Sequence, residues 1–270
     1  MSKICQSCNH PIKENFCANC GEKKFEQKDL SLKLLIGDFF NALTFLDNKF
    51  LKSFYLLFRR PGHLSEEYLR GSRVKYMKPI ALFFIANLAY FLFSPLNDFR
   101  GTLSNILYHS PYGELFIPEV KALMNYSQLD WDAFSSHFNK ISEDYSRSFI
   151  ILNIPVFTSI MFLLLRRIRP FYIEHFVFGL HLYSALLLIF VLIPGFVIFF
   201  THVTGIEKTE MAGQVILTLL ILTYMVPAIK RFYVKKWWQV GLVTLLTMVS
   251  FFITGEFYKF VLFLFVLQII

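Results

Sequence analysis

Long apolar runs constrain the fold of this chain more than any other feature. A helix rises about 1.5 Å per residue, and a bilayer's hydrocarbon core is about 30 Å thick. Four runs are long enough to cross it, namely residues 79–96, 148–165, 176–200 and 211–229. A fifth run, 239–254, is just long enough, and residues 260–270 either extend this last helix or lie at the membrane interface. The runs predict an all-α integral membrane helical bundle with about five transmembrane helices.

The composition supports this fold class. Hydrophobic residues make up 55% of the chain and charged residues only 17%, whereas soluble domains usually contain about a quarter charged residues. So few charged side chains cannot cover a soluble core, which excludes an ordinary soluble globular domain. The first twenty residues are polar, so we expect no cleavable signal and insertion that starts from the 79–96 run.

The net charge of +8 is distributed unevenly between the runs. Residues 1–78, the 166–175 link and the 230–236 link carry +6, +2 and +4, whereas residues 97–147 carry −3. Basic loops tend to stay in the cytoplasm, so we expect a cytoplasmic N-terminus and an external 97–147 loop. The loosely helical pattern within that loop predicts a small folded cap or surface helices.

All four cysteines lie near the N-terminus in two Cys-x2-Cys pairs, formed by Cys5, Cys8, Cys17 and Cys20. Two such pairs supply four thiolates in a tetrahedral array, which is typical of a closed structural zinc site. The residue that follows each pair, Asn9 or Gly21, tolerates the left-handed backbone of a tight turn. Residues 1–24 therefore predict a zinc ribbon whose folding free energy comes from the metal.

Two disulfides are the competing interpretation of these cysteines. The predicted cytoplasmic location argues against disulfides, as does the 97–147 loop, whose sequence contains no cysteine. Four thiolates leave no open metal position for substrate, so the predicted zinc is structural. The ribbon sequence has nearby lysines but no basic stripe with stacking aromatics, so we expect it to bind a cytoplasmic protein rather than nucleic acid.

Residues 25–78 form the predicted cytoplasmic interfacial segment before the bundle of residues 79–270. Apolar residues recur at helical spacing between Leu30 and Phe58, which predicts two short amphipathic helices with a break near Asp47 and Asn48. Their apolar faces either lie in lipid or pack on the ends of the spans, and the periodicity fits both.

A basic run leads from this segment into the first apolar run. Its candidates for binding an anion or an anionic lipid are Arg59, Arg60, Arg70, Arg73, Lys75 and Lys78. Each basic residue near an anionic leaflet contributes about 1 kcal/mol of attraction. Membrane topology alone would account for such charges. The turn residues Pro61-Gly62, Gly71 and Pro79, however, predict a structured pocket for a phosphate group.

Ionisable residues within the apolar runs are few. Glu174 and His181 lie two turns apart on one face of the predicted third helix, and His175 lies on a neighbouring face. Such a face would line a polar cavity, bind a metal with a partner helix, or relay protons. In the alternative interpretation Glu174 and His175 are interfacial, and His181 makes one hydrogen bond to a neighbouring helix.

Several motifs together resemble a known family. They are Phe16-Cys17-x2-Cys20-Gly21, Arg60-Pro61-Gly62, Tyr68-Leu69-x-Gly71-x-Arg73-x2-Tyr76-x2-Pro79 and Glu174-His175-x2-Phe178-x2-His181-x2-Ser184. They resemble a bacterial family of zinc-ribbon-headed multi-pass membrane proteins catalogued as domain of unknown function 3667. The resemblance extends to about Ser184 and implies a multi-pass protein of the inner membrane, with no reaction attached to it.

The leading hypothesis is a non-enzymatic inner-membrane protein. Its zinc ribbon would contact a protein, its basic segments would hold anionic lipid, and its bundle would bind lipid or a small molecule. One alternative is a transporter with a proton-sensitive face formed by Glu174 and His181. A second alternative is a lipid-modifying enzyme that uses His175 or His181, with the basic run as its phosphate clamp.

Overall fold

The computed structural model describes residues 3–12, 14–24, 48–93, 101–204 and 210–270. A short antiparallel pair of strands, β1 (Lys3–Ile4) and β2 (Pro11–Ile12), begins the described chain, with Ile4 opposite Pro11. The helices are α1 (Asn48–Arg59), α2 (His63–Arg70), α3 (Pro79–Phe93), α4 (Leu103–His109), α5 (Ile117–Ser127), α6 (Trp131–Phe149), α7 (Asn153–Leu165), α8 (Tyr172–Thr204), α9 (Glu210–Phe232) and α10 (Trp237–Ile269). Short 3-10 helices cover Gly113–Phe116 and Ile150–Leu152.

The chain divides into two compact units. The first unit contains residues 1–95 and 158–247, and the second contains residues 96–157 and 248–270. Helix α8 is the central element of the first unit, since α1, α2, α3 and α9 all pack against it. Most of its residues between Tyr172 and Leu192 are buried. A helix that is apolar on all sides is expected in such a central position.

Helices α1 and α2 form the N-terminal side of this unit. The second predicted amphipathic helix is α1, whereas the first lies outside the described residues. Phe58 of α1 makes an edge contact with Tyr224 of α9, with 6.2 Å between the ring centroids, and Leu57 is buried. Leu51 and Tyr55 are exposed on α1. One apolar face of α1 therefore packs on protein, and the other remains available to lipid.

The predicted turn positions of the basic run are confirmed. Gly62 and Gly71 flank α2 with φ angles of 79° and 103°, in the left-handed region that favours glycine. Pro79 begins α3, where its missing N–H removes no helical hydrogen bond. Gly62 also lies against α9, since a Cβ atom there would come within 2.7 Å of the Ala228 carbonyl oxygen.

The second unit is built around the end of α10. Leu103, Phe134 and Phe138 of the preceding helices pack with Phe263 and Val266 of α10 in one buried cluster. The segment predicted as an external loop therefore folds into helices α4 to α6, as the helical pattern predicted. Residues 260–269 continue α10, so the short apolar tail extends the last helix.

The five predicted spans are not confirmed. Three helices in the described part of the chain are long and apolar enough to cross a membrane, namely Tyr172–Leu192, Val215–Phe232 and Trp237–Ile269. The described part of the 79–96 run forms α3, whose 15 residues rise about 22 Å, and residues 94–96 lie outside the described residues.

The 148–165 run is also interrupted. Trp131–Ser146 and Ile150–Leu165 are together long and apolar enough to cross a membrane, but they are bent by 59° at the break between them. Pro155 lies just beyond this break, in the first turn of α7. Its ring lacks an N–H and would crowd the carbonyl of Ile151 in a continuous helix, so a bend there is expected. Counting this pair as one span would bring the total to four.

Candidate metal centre and the polar contacts around it

The four cysteines converge on one point. Their Sγ atoms all lie within 4.8 Å of one another, and the Cys5–Cys20 and Cys8–Cys17 sulfurs are each 3.5 Å apart. Four thiolates around zinc at about 2.3 Å would have sulfurs about 3.8 Å apart, so this donor set fits a tetrahedral metal ion. All four cysteines are free thiols in the structure.

Each cysteine pair forms the same kind of turn. The Asn9 amide donates to the Cys5 carbonyl at 2.9 Å, and the Cys5 amide donates to the backbone carbonyl of His10, also at 2.9 Å. In the second turn the Gly21 amide donates to the Cys17 carbonyl, also at 2.9 Å. Asn9 and Gly21 have φ angles of 60° and 73°, which confirms the left-handed positions predicted from residue type. The two turns present their thiols toward each other.

Local hydrogen bonds favour the thiolate form of Cys8, whereas burial raises the pKa of Cys20 to about 12. The backbone of His10 and the side chain of Asn19 hydrogen-bond to Cys8 and lower its pKa to about 6. The antiparallel pairing of β1 with β2 supports the first turn, and a bridge between Phe16 and Lys23 supports the second. Residues 3–24 thus form a small ribbon around the cysteine cluster.

The ribbon is fastened to the segment between α2 and α3. The carboxylate of Glu22 accepts hydrogen bonds from the backbone amides of Arg73 and Val74 at 3.0 and 2.9 Å. The hydroxyl of Ser72 donates to the carbonyl of Gln6 at 3.0 Å. Glu22 is 3% exposed, so these bonds are shielded from water and are strengthened by its charge. We call this set of hydrogen bonds the ribbon contact.

The ribbon contact was not predicted from the sequence. Glu22 directly follows the Cys20-Gly21 turn, and it was not among the candidate site residues. Its position among lysines is typical of a solvated surface, and its partners lie about fifty residues away in the chain.

The six basic candidates have different surroundings. Arg59 and Arg60 are exposed at the end of α1, and Arg70 lies within 4.0 Å of Glu66 and 3.4 Å of Glu67 on α2. Arg70 is 61% exposed in its side chain, so these pairs contribute little to stability. The run therefore includes exposed charges that are available to an external anion.

The other candidates have partners within the protein. The guanidinium of Arg73 lies 5.1 Å from the centre of the Tyr68 ring. The ammonium groups of Lys75 and Lys52 lie 5.4 and 5.5 Å from the centre of the Tyr76 ring. Lys52 was not predicted, because it lies one helix earlier in the chain. Lys78 is half-buried, and its carbonyl accepts the Leu82 amide at the start of α3.

His63 lies beside the same aromatic ring. Its ring centroid is 6.1 Å from that of Tyr76. Burial lowers the pKa of His63 below its ordinary value of 6.5, and the positive charges of Arg231 and Arg60 act in the same direction, against Glu67 and Glu66. The environment of α2 therefore favours a neutral imidazole at neutral pH.

Glu174 and His175 are held by the turn before α8 and by the end of α9. Glu174 forms an ion pair with Arg169 at 2.9 Å. Nε2 of His175 donates to the Arg169 carbonyl at 3.0 Å, which leaves Nδ1 to accept from the Tyr233 hydroxyl at 2.9 Å. Both ring nitrogens of this fully buried histidine are thus used by the protein itself.

His181 has a different partner. Its Nδ1 lies 2.9 Å from the hydroxyl of Ser65 on α2, in a buried position. Its Nε2 is also buried and has no hydrogen-bond partner among the residues that the structure describes. Glu174 bonds to Arg169 and His181 bonds to Ser65, so the predicted face of α8 serves two separate contacts rather than one site.

Comparison with known proteins supports the resemblance seen in the motifs. Residues 47–91 match the family model described as "Protein of unknown function (DUF3667)". No curated protein and no solved structure matches the chain. The matched segment contains Ser65, the Pro61-Gly62 turn and the residues that receive the ribbon.

Proposed function

We propose, from the premise that residues 47–91 belong to the family of domain of unknown function 3667, that this chain is a non-enzymatic protein of the bacterial inner membrane. In this proposal a structural zinc ribbon is held at the cytoplasmic surface and binds a protein partner. The helical units bind membrane lipid or a small molecule.

The ribbon contact is the observation that carries the proposal. Glu22 accepts two backbone hydrogen bonds from Arg73 and Val74, five to six residues before α3 begins at Pro79. A ribbon attached only by a linker would move independently of the helices. A ribbon fixed by a buried carboxylate instead transmits any change at its surface to the helix that packs most extensively on α8.

The dimensions of α10 support insertion in a membrane. Trp237 and Trp238 at its start are about two-thirds exposed, as expected for side chains in an interfacial aromatic belt. Glu256 and Lys259 form an ion pair at 3.0 Å partway along the helix. From Trp237 to Glu256 the helix rises about 29 Å, which matches the thickness of a hydrocarbon core.

The contacts of His175 and Glu174 support a structural role for them rather than a catalytic one. A general base needs a nitrogen or oxygen free to meet the substrate. Both nitrogens of His175 are engaged, and the two Glu174 oxygens accept from Arg169 and from the Phe171 amide. These bonds join the turn before α8 to the end of α9.

Two measurements on the purified full chain test the proposal. We expect one zinc per chain, lost in Cys17→Ser. A photo-crosslinking amino acid in place of Phe16, which is 60% exposed on the ribbon, should give one discrete protein adduct in cells. The adduct should disappear in the Cys17→Ser background and be absent at Tyr126, a 91% exposed control on α5. Zinc-free protein, or no adduct at Phe16, would contradict the proposal.

Transport is a second candidate, which one observation favours. The buried Nε2 of His181 has no hydrogen-bond partner within the described residues. Buried ionisable side chains inside membrane spans are a common feature of proton pathways. In proteoliposomes with an imposed pH gradient, transport predicts dissipation by the parent protein and its loss in His181→Ala. Ser65→Ala is the control, because it removes the hydrogen bond and keeps the imidazole. No dissipation by the parent protein would contradict this candidate.

A further inference from the structure

A groove lies between the ribbon and the end of α2. It has a volume of about 410 Å³ and is lined by Ile4 and Ile12 of the ribbon, by Lys23 and Lys24, and by Arg70 of α2. Ile4 is 61% exposed although it is large and apolar. The groove therefore combines an apolar lining with three basic side chains that come from two separate elements.

The groove carries a net positive charge. Its one acidic lining residue is Glu22, which is 3% exposed and whose carboxylate accepts from Arg73 and Val74. That carboxylate is engaged in the ribbon contact. Arg70 also lies 4.0 Å from Glu66 and 3.4 Å from Glu67 of α2, so the excess positive charge of the groove comes mainly from Lys23 and Lys24. A concave site with basic side chains and an apolar wall favours a ligand with an anionic group and an apolar portion.

The position of α2 indicates what such a ligand is. Ser65 contacts His181, and three residues later Tyr68 packs on Val177 and Ile173 of α8. Helix α2 thus runs antiparallel to α8 and ends near the first turn of the Tyr172–Leu192 span. Arg70, the last residue of α2, lies at the level where that span would enter the membrane. Lipid phosphates are concentrated at this level.

We infer that this groove binds the phosphate of an anionic membrane lipid, with Lys23, Lys24 and Arg70 around the phosphate and Ile4 against the adjacent glycerol and acyl carbons. The inference deepens the proposed function and depends on it, because the site needs both a folded ribbon and a membrane-inserted α8. It assigns to Lys23 and Lys24 a role that the ribbon sequence alone did not indicate.

The test uses purified full chain in neutral detergent, titrated with phosphatidylglycerol or phosphatidylcholine and followed by native mass spectrometry. We expect Lys24→Gln/Arg70→Gln to raise the Kd for phosphatidylglycerol about tenfold and to leave phosphatidylcholine binding unchanged. The control Lys121→Gln/Lys140→Gln removes two exposed charges from α5 and α6 and should change neither Kd. Equal effects of the two double variants, or none from Lys24→Gln/Arg70→Gln, would overturn the inference.

Two soluble competitors distinguish other sources of the anion. Glycerol phosphate that competes at the same concentration as the lipid would indicate a soluble phosphate ligand and would overturn the lipid assignment. An acidic peptide of ten Asp and Glu residues that binds more tightly than phosphatidylglycerol would indicate a protein ligand and would also overturn it. The inference predicts that neither competes at the concentration of lipid that half-saturates the site.

Failure of the inference is separable from failure of the proposed function. The Lys24→Gln/Arg70→Gln protein should keep its zinc and its Phe16 adduct. If those are present but phosphatidylglycerol binding is unaffected, the groove assignment alone is wrong. If the parent chain holds no zinc, the proposed function is wrong.

Discussion

The hydroxyl of Ser65 and Nδ1 of His181 lie 2.9 Å apart in the buried interface between α2 and α8. They are 116 residues apart in the sequence, and both residues are buried, with 0% and 4% of their surface exposed. This bond fixes a short helix of the matched family segment to the central helix. Both the ribbon and the groove depend on the position of that short helix.

Removing this hydroxyl should destabilise the first unit. Ser65→Ala leaves Nδ1 of His181 buried without its partner, and Nε2 already has none within the described structure. We expect a loss of about 1–3 kcal/mol in the free energy of unfolding, which is the usual cost of an unsatisfied buried group. Thermal unfolding in detergent measures it. Thr223→Ala, which removes an exposed hydroxyl bonded within its own helix, should have little effect.

Gly62 should not tolerate a side chain. Gly62→Ala places a Cβ within 2.7 Å of the Ala228 carbonyl oxygen at a φ of 79°, so both the contact with α9 and the backbone become strained. The left-handed backbone alone costs about 1–2 kcal/mol. We expect the free energy of unfolding to fall by more than this backbone cost, and the unfolding temperature to fall with it. Gly241→Ala in α10, where nothing lies within 4 Å, should instead be neutral or stabilising. Equal effects of the two variants would contradict the close packing of Gly62.

His63 should make stability depend on pH. Burial lowers its folded pKa below its ordinary value of 6.5, so the unfolded chain binds the proton more readily. The stability due to neutral His63 is present above pH 6.5 and decreases as the pH falls through the folded pKa. Unfolding midpoints measured from pH 8 to pH 5 should therefore decrease less in His63→Gln than in the parent protein. A parallel decrease in both proteins would show that another group causes it.

Local features of the site could be predicted from the sequence. Cysteine spacing and the residue types at positions 9 and 21 predicted the two turns, because a tight turn depends on a few adjacent residues. The turn residues Gly62, Gly71 and Pro79 were predicted for the same reason. The partners Glu22, Lys52 and Ser65 were not predicted. Each meets a residue far away in the chain, and nothing in its own neighbourhood distinguishes it from an ordinary surface side chain.

Three of the predicted spans correspond to long apolar helices, and five are not confirmed. The described part of the 79–96 run forms α3, which has 15 residues between Pro79 and Phe93. The 148–165 run contains Pro155, and the helix pair there is bent by 59°. The 260–270 tail, whose position the sequence left open, continues α10 because α4 to α6 supply an apolar partner for it.

The most direct test of the central claim is hydrogen exchange at the amides of Arg73 and Val74. Both amides donate to Glu22, so a metal-folded ribbon should protect them. Zinc-loaded full chain should exchange these two amides at least tenfold more slowly than the Cys17→Ser variant, whereas the amide of the buried Leu186 in α8 should exchange equally in both. Equal exchange of Arg73 and Val74 in the two proteins would contradict a metal-dependent ribbon fixed to the helices.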